Sequence, residues 1–149
     1  MSTSASPLPA SLERLVNRLQ HASTPKQRYE YLLWLAQRLP PFPESEKIPE
    51  NKVPGCVSQV YLTAHSESDT IILQGDSDAQ ITKGLVALLI EGVKGLSAQE
   101  IQQLTPDFIA RTGLEISLTP SRVNGFYNIF KALQNKVSLA QKASALFLD

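Results

Sequence analysis

Apolar residues recur at helical spacing from Ser11 onward, with Leu12, Leu15, Val16 and Leu19 on one face, until Ala22-Ser23-Thr24-Pro25 interrupts them. Thr24, with Pro25 at the first helical position and Gln27 at the third, predicts the capped start of a second helix. Its apolar face carries Tyr29, Leu32, Leu33, Ala36 and Leu39 and stops at Pro40. Two helices with one face each to bury and so short a break between them predict a hairpin.

The pattern then changes. Pro40, Pro41, Pro43, Pro49 and Pro54 exclude an ordinary helix or central strand between them, which predicts an ordered surface loop. A strand from about Val57 to Ala64, a polar turn over 65–69 and a second strand over 70–74 read as an antiparallel pair. Such a pair needs helices to cover it. Gly75-Asp76-Ser77-Asp78 ends the second strand and opens a helix, with Ser77 and Gln80 as a capping pair and Ile81, Leu85, Leu88 and Leu89 on a buried face. Ala87 and Ile90 widen that face, and Gly84 is expected at a close helix contact. Gly92 and Gly95 end it. Further starts follow at Ser97 with Glu100 and at Thr105-Pro106, and Gly113 punctuates. A final helix opens at Leu118-Thr119-Pro120-Ser121 and carries Phe126, Ile129, Phe130, Leu133, Val137 and Ala140 on one face, to be covered by its own domain or by a second copy. Helix pair, small antiparallel sheet, then several helices is an α+β order rather than repeated βαβ units. Residues 1–10 are small, polar and expected to be loose, leaving one domain over 11–149.

Composition fits that picture. The 149 residues balance 14 Lys and Arg against 14 Asp and Glu, so the basic excess that recommends nucleic-acid binding is missing. The apolar run from Gly84 to Ile90 is too short to cross a bilayer, and Met1 to Pro9 lacks a secretory pattern. One cysteine makes neither an internal disulfide nor half a zinc site. A reducing cytoplasm is the expected compartment.

Cys56 lies in Asn51-Lys52-Val53-Pro54-Gly55-Cys56-Val57-Ser58-Gln59-Val60. Pro54 fixes φ and Gly55 permits a positive one, placing the thiol at a turn-to-strand junction. A lone cysteine is often a small buried hydrophobe. Backbone amides beside such a bend favour a thiolate, which supports the alternative of a reactive one. A papain-like pairing needs a histidine beside the thiol; His21 sits on the polar side of the first helix, and an extended strand puts His65 roughly 30 Å from Cys56. Both histidines read as solvent-facing. Asp76 and Asp78 lack the spacing of a calcium loop and read as turn and cap residues. Arg122, near the start of the final helix, is a cation where the helix field does not favour one, which fits either a residue facing an anion, a carboxylate or a partner, or a simple exposed arginine.

Several ordered blocks together resemble the SufE family, including its relative CsdE. They are Tyr29 through Gln37-Arg38-Leu39-Pro40, Val53-Pro54-Gly55-Cys56 with Ser58-Gln59-Val60, Leu73-Gln74-Gly75-Asp76-Ser77-Asp78-Ala79 with Lys83-Gly84-Leu85, and Leu118-Thr119-Pro120-Ser121-Arg122 with Asn124-Gly125. The resemblance implies a SufE-like fold, related to that of the iron-sulfur scaffold. It implies a sulfur carrier rather than a stand-alone enzyme: Cys56 takes persulfide sulfur from a cysteine desulfurase of the SufS or CsdA kind, stimulates it, and delivers sulfur to a SufBCD-like iron-sulfur scaffold. The partner uses pyridoxal phosphate; the carrier needs no cofactor or metal of its own. Arg122 matches the family's arginine near the cysteine, with a positioning or partner-contacting role, and homodimers occur in the family. Val57 and Val123 depart from the glutamine and serine common there. A non-covalent activator or adaptor of the desulfurase, and a scaffold module with a buried Cys56, are the alternatives.

Overall fold

A computed structural model describes residues 8–68 and 70–148. The segment expected to be loose therefore lies, as far as residue 7, outside the described residues, and helix α1 (Ala10–Gln20) begins at once after Leu8 and Pro9. After a short break α2 (Pro25–Arg38) follows, but the two helices do not pack face to face as the expected hairpin: both lay their apolar faces against α3 (Gln80–Gly92). Thr24 Oγ1 accepts the Gln27 N–H at 3.2 Å, while the Gln27 side chain accepts from Ser23 N–H, one residue before the cap. Arg28 ties the start of α2 to the break by donating to the Leu19 and Ala22 carbonyls, and to Ser117 Oγ. Leu33 leaves the apolar face expected for it and is 38% exposed, because Leu32, Leu35 and Ala36 already fill the contact.

The proline-rich segment is ordered. It makes two short 3₁₀ turns, at Glu44–Glu46 and Pro49–Asn51, and buries Phe42, which stacks on Tyr61. Lys136, on the last helix, donates to the Glu50 carbonyl and to Asn51 Oδ1, both at 2.9 Å.

Strand β1 (Val60–Glu67) pairs antiparallel with β2 (Thr70–Ser77), from Val60 opposite Ser77 to Glu67 opposite Thr70. Both strands differ from the expected bounds. Val57 stands outside the ladder, 87% exposed, and the polar 65–67 belongs to β1. These residues are the solvated end of a ribbon whose buried end is Val60 and Leu62, so polarity there marks exposure and not a turn. Gly75, Asp76 and Ser77 likewise stay in β2, and the expected Ser77–Gln80 box does not form. Ala79 is the N-cap of α3 (Gln80–Gly92), and Ser77 Oγ accepts the Ala79 N–H instead.

Helix α3 is buried on nearly every side, against α1, α2, β2 and the last helix. Gly84 makes the expected close contact, since a Cβ there would stand 2.3 Å from the Leu32 carbonyl oxygen. Short helices α4 (Ala98–Gln102), α5 (Asp107–Arg111) and α6 (Leu114–Ser117) follow, α4 with the full Ser97–Glu100 capping box. Helix α7 (Pro120–Leu148) lies along β1 and buries Phe126, Ile129, Phe130, Leu133 and Val137. Helices clasping a two-stranded antiparallel sheet give the α+β class. No described helix is long and apolar enough to cross a membrane.

Candidate active site around Cys56

The loop that carries the cysteine is closed at its neck by backbone. Lys52 bridges Tyr61, and the Val53 N–H donates to the Val60 carbonyl at 2.8 Å. Next to that closure, Gln59 N–H donates to Asp78 Oδ1 at 3.0 Å and Asp78 N–H returns to the Gln59 carbonyl at 3.2 Å. Asp78 is thus a neck clamp and not a helix cap. Asp76 also differs from its expected turn role: it sits in β2 opposite Tyr61 and pairs with Lys47 of the proline segment and Lys83 of α3. The two acids brace the loop from outside.

At the tip, Pro54 and Gly55 form the expected turn, with Gly55 at φ +79°. Asn128 of α7 donates its Nδ2 to the Gly55 carbonyl at 2.9 Å. A Cβ on Gly55 would stand 2.6 Å from that same Nδ2, so glycine serves both the backbone and the close approach.

Cys56 is a free thiol, half-buried, with Sγ 3.8 Å from the Gly125 carbonyl. Burial pushes the thiol up from its ordinary value. The shift is opposite to the thiolate-favouring effect expected of amides at the bend, and burial is its cause. A cleft of about 290 Å³ opens beside the sulfur, lined by Val57, Ser58, Thr82, Thr119, Ser121, Arg122 and Gly125 as well as Cys56.

Arg122 and Cys56 thus share one cleft although 66 positions (122 − 56) separate them in sequence. The exposed Arg122 guanidinium makes no hydrogen bond or ion pair among the described residues; only its backbone N–H is engaged, by Thr119 Oγ1 at 3.4 Å. In the free protein it does not hold the loop. Neither His21 nor His65 lines the cleft, and both are exposed, His21 bonded to the Asn17 carbonyl. Among the described residues no cluster of three metal-ligating side chains occurs. Sequence reasoning passed over Asn128 and Thr82. Asn128 had one visible signal: a poor helix former placed between Tyr127 and Ile129 in a helix's apolar stretch asks for a side-chain role.

Residues 13–137 match the family model SufE, described as an Fe-S metabolism associated domain. The chain belongs to the SufE family. An uncharacterised SufE-like protein of Synechocystis sp. is 60% identical over 129 residues, covering 87% of this chain and 81% of the relative. A SufE-like protein 1 of Arabidopsis thaliana, named as chloroplastic/mitochondrial, is 43% identical over 130 residues, 87% of this chain but only 35% of its own. The Plasmodium falciparum cysteine desulfuration protein SufE is 32% identical over 117 residues, covering 75% of this chain and 47% of that one. A solution structure of a hypothetical protein from Thermus thermophilus superposes with a TM-score of 0.78 at 25% identity, over 91% of this chain and 99% of the other. This SufE chain accordingly belongs to iron-sulfur metabolism, with a relative named for cysteine desulfuration.

Proposed function

We propose that this SufE protein is a sulfur carrier whose Cys56 accepts sulfur from the persulfide of a pyridoxal-phosphate cysteine desulfurase, thereby stimulating that enzyme, and passes it on for iron-sulfur cluster assembly by a SufBCD-like scaffold. The observation that carries it is the placement of the chain's one thiol, half-buried at the tip of a glycine turn, in a cleft shared with an arginine that has no partner of its own among the described residues.

The step balances without a metal or an outside oxidant. Cys56 thiolate attacks the outer sulfur of the donor persulfide, a new S–S bond forms at Cys56, and the donor cysteine leaves as thiolate. The proton that Cys56 gives up matches the one the donor thiolate takes, so the sulfane sulfur changes hands with no net redox change. Because burial disfavours the thiolate, docking that brings Cys56 out of its cleft, or brings a cation to it, would favour the attacking form. Arg122, exposed at the rim, is placed to meet the partner or the developing negative charge. Self-association and a reducing compartment belong to the same proposal; the Arabidopsis relative's name makes an organelle as acceptable as the cytoplasm.

Incubating the protein with its desulfurase and cysteine, then weighing the intact chain with and without reductant, tests the reading. One reducible sulfur on Cys56, absent from Cys56→Ala, is expected. An active desulfurase with no adduct at any rapidly sampled time overturns it. Full stimulation retained by Cys56→Ala would favour non-covalent activation.

A further inference from the structure

The Cys56 loop is held unequally at its two ends. Its neck has the Val53–Val60 backbone bond, the Lys52–Tyr61 bridge and the reciprocal Gln59–Asp78 pair. Beyond the neck it has three side-chain contacts: the short bond from Asn128 Nδ2 to the Gly55 carbonyl at 2.9 Å, a longer Ser58 Oγ–Thr82 Oγ1 contact at 3.5 Å, and the long contact from Cys56 Sγ to the Gly125 carbonyl. Val57, next to the thiol, is 87% exposed and anchors nothing.

We infer that Asn128 is the latch of the cysteine loop: a positioning residue whose single side-chain hydrogen bond sets how often Cys56 leaves its cleft in the free protein. The inference rests on the sulfur-carrier reading for its purpose but on geometry for its content. A segment fixed at both strands of its neck, and held beyond it by one short bond and two long ones, opens more often when the short bond is lost, with Val53 and Val60 as the hinge. Three features agree on the latch. Gly55 is the one residue type that lets the carbonyl and the amide approach, because any Cβ would run into Asn128 Nδ2 at 2.6 Å. Asn128 sits on α7 between Tyr127 and Ile129, on a rigid helix whose buried face includes Ile129, so the donor does not follow the loop when it moves. The partnerless guanidinium of Arg122, one cleft wall away, offers no competing hold on the tip. Asn128 thus acts on the transfer through the position of Cys56 and touches no reacting atom.

The test uses the full chain, without desulfurase, and the rate at which iodoacetamide alkylates Cys56, followed by intact mass. Asn128→Ala is expected to raise that rate about five-fold, the factor carried by one neutral hydrogen bond. Asn128→Gln, which keeps the amide on a longer arm, should fall between the two. Alanine is a better helix former than asparagine, so α7 should not be weakened. Two controls separate the latch from general loosening. The faster rate should be independent of low urea, as local opening is, and should appear as a parallel upward shift of the whole pH–rate profile.

A wild-type rate in Asn128→Ala overturns the inference. So does an increase that grows with urea, which is global unfolding, or a displaced pH midpoint, which would mean that Asn128 acts on the ionisation of the thiol. Failure of Cys56 to gain sulfur from an active desulfurase removes the carrier reading and leaves the alkylation result standing, so the two can fail separately.

Discussion

Burial raises the Cys56 thiol above its ordinary value. A thiol raised in the folded state keeps its proton into a pH range where the unfolded chain has lost it. Alkylation of the native protein is therefore expected to rise through a midpoint on the alkaline side of the midpoint measured for the same chain in denaturant; a native midpoint below the denatured one would contradict the burial. The linked stability term has the same sign. It is fully present below the unfolded thiol value and lost as pH rises through the folded one. The Pro54-Gly55-Cys56 turn was legible in the sequence because each residue's backbone restriction is local. Asn128 was not, since its bond to Gly55 spans 73 positions and no local rule links them.

Among the elements, the contact between α2 and α3 governs how tightly the molecule closes on its sheet. Gly84 brings α3 so near Leu32 that any side chain meets main chain, which cannot yield as a flexible side chain does. Gly84→Ala is expected to cost roughly 1–3 kcal/mol, read as a lower urea midpoint with an unchanged slope. An unaltered midpoint would show that the two helices separate freely. Helix faces and the Ser97–Glu100 box were readable because period and capping are properties of four or five neighbouring residues. Ser77 and Leu33 were misread for a tertiary reason. Pairing with Val60 keeps Ser77 in the strand, and Leu33 is turned outward where Leu32 and Leu35 already occupy the interior. The polar end of β1 misled in the same way, because a ribbon that runs out of the core keeps its hydrogen bonds while losing its apolar alternation.

Across the whole molecule, distant segments are tied by pairs that no local pattern announces. Arg111 of α5 holds Glu13 of α1 through two bonds, at 3.1 and 2.7 Å. The hydrogen bond from Arg111 holds the Glu13 carboxyl below its usual range. Such a group stabilises above the unfolded carboxyl value, and the contribution is lost as pH falls through the lower folded one. Both side chains are more than a third exposed, so solvent screening keeps the term below about 1 kcal/mol. Glu13→Gln is expected to lower Tm by about 2 °C at neutral pH and low salt. That difference should fade in strong acid and in concentrated salt; a difference that persisted in acid would have another origin. Buried faces place the helices around the sheet, α7 against β1 and α3, and so bring the N-terminal end of α7 against the Cys56 loop; the surface pairs, with Lys136 on the proline segment, add to that placement. The order of elements was legible; this mutual placement came only with the fold.

The solitary thiol has a consequence for discharge. A carrier with two neighbouring cysteines can expel its cargo as sulfide by closing an internal bridge, wasting the oxidation state of the sulfur. This chain has no second cysteine with which to do so. Under the proposed function, sulfur placed on Cys56 would have to wait for a nucleophile or a reductant supplied from elsewhere, and the choice of recipient would govern both where the atom goes and when it is let go.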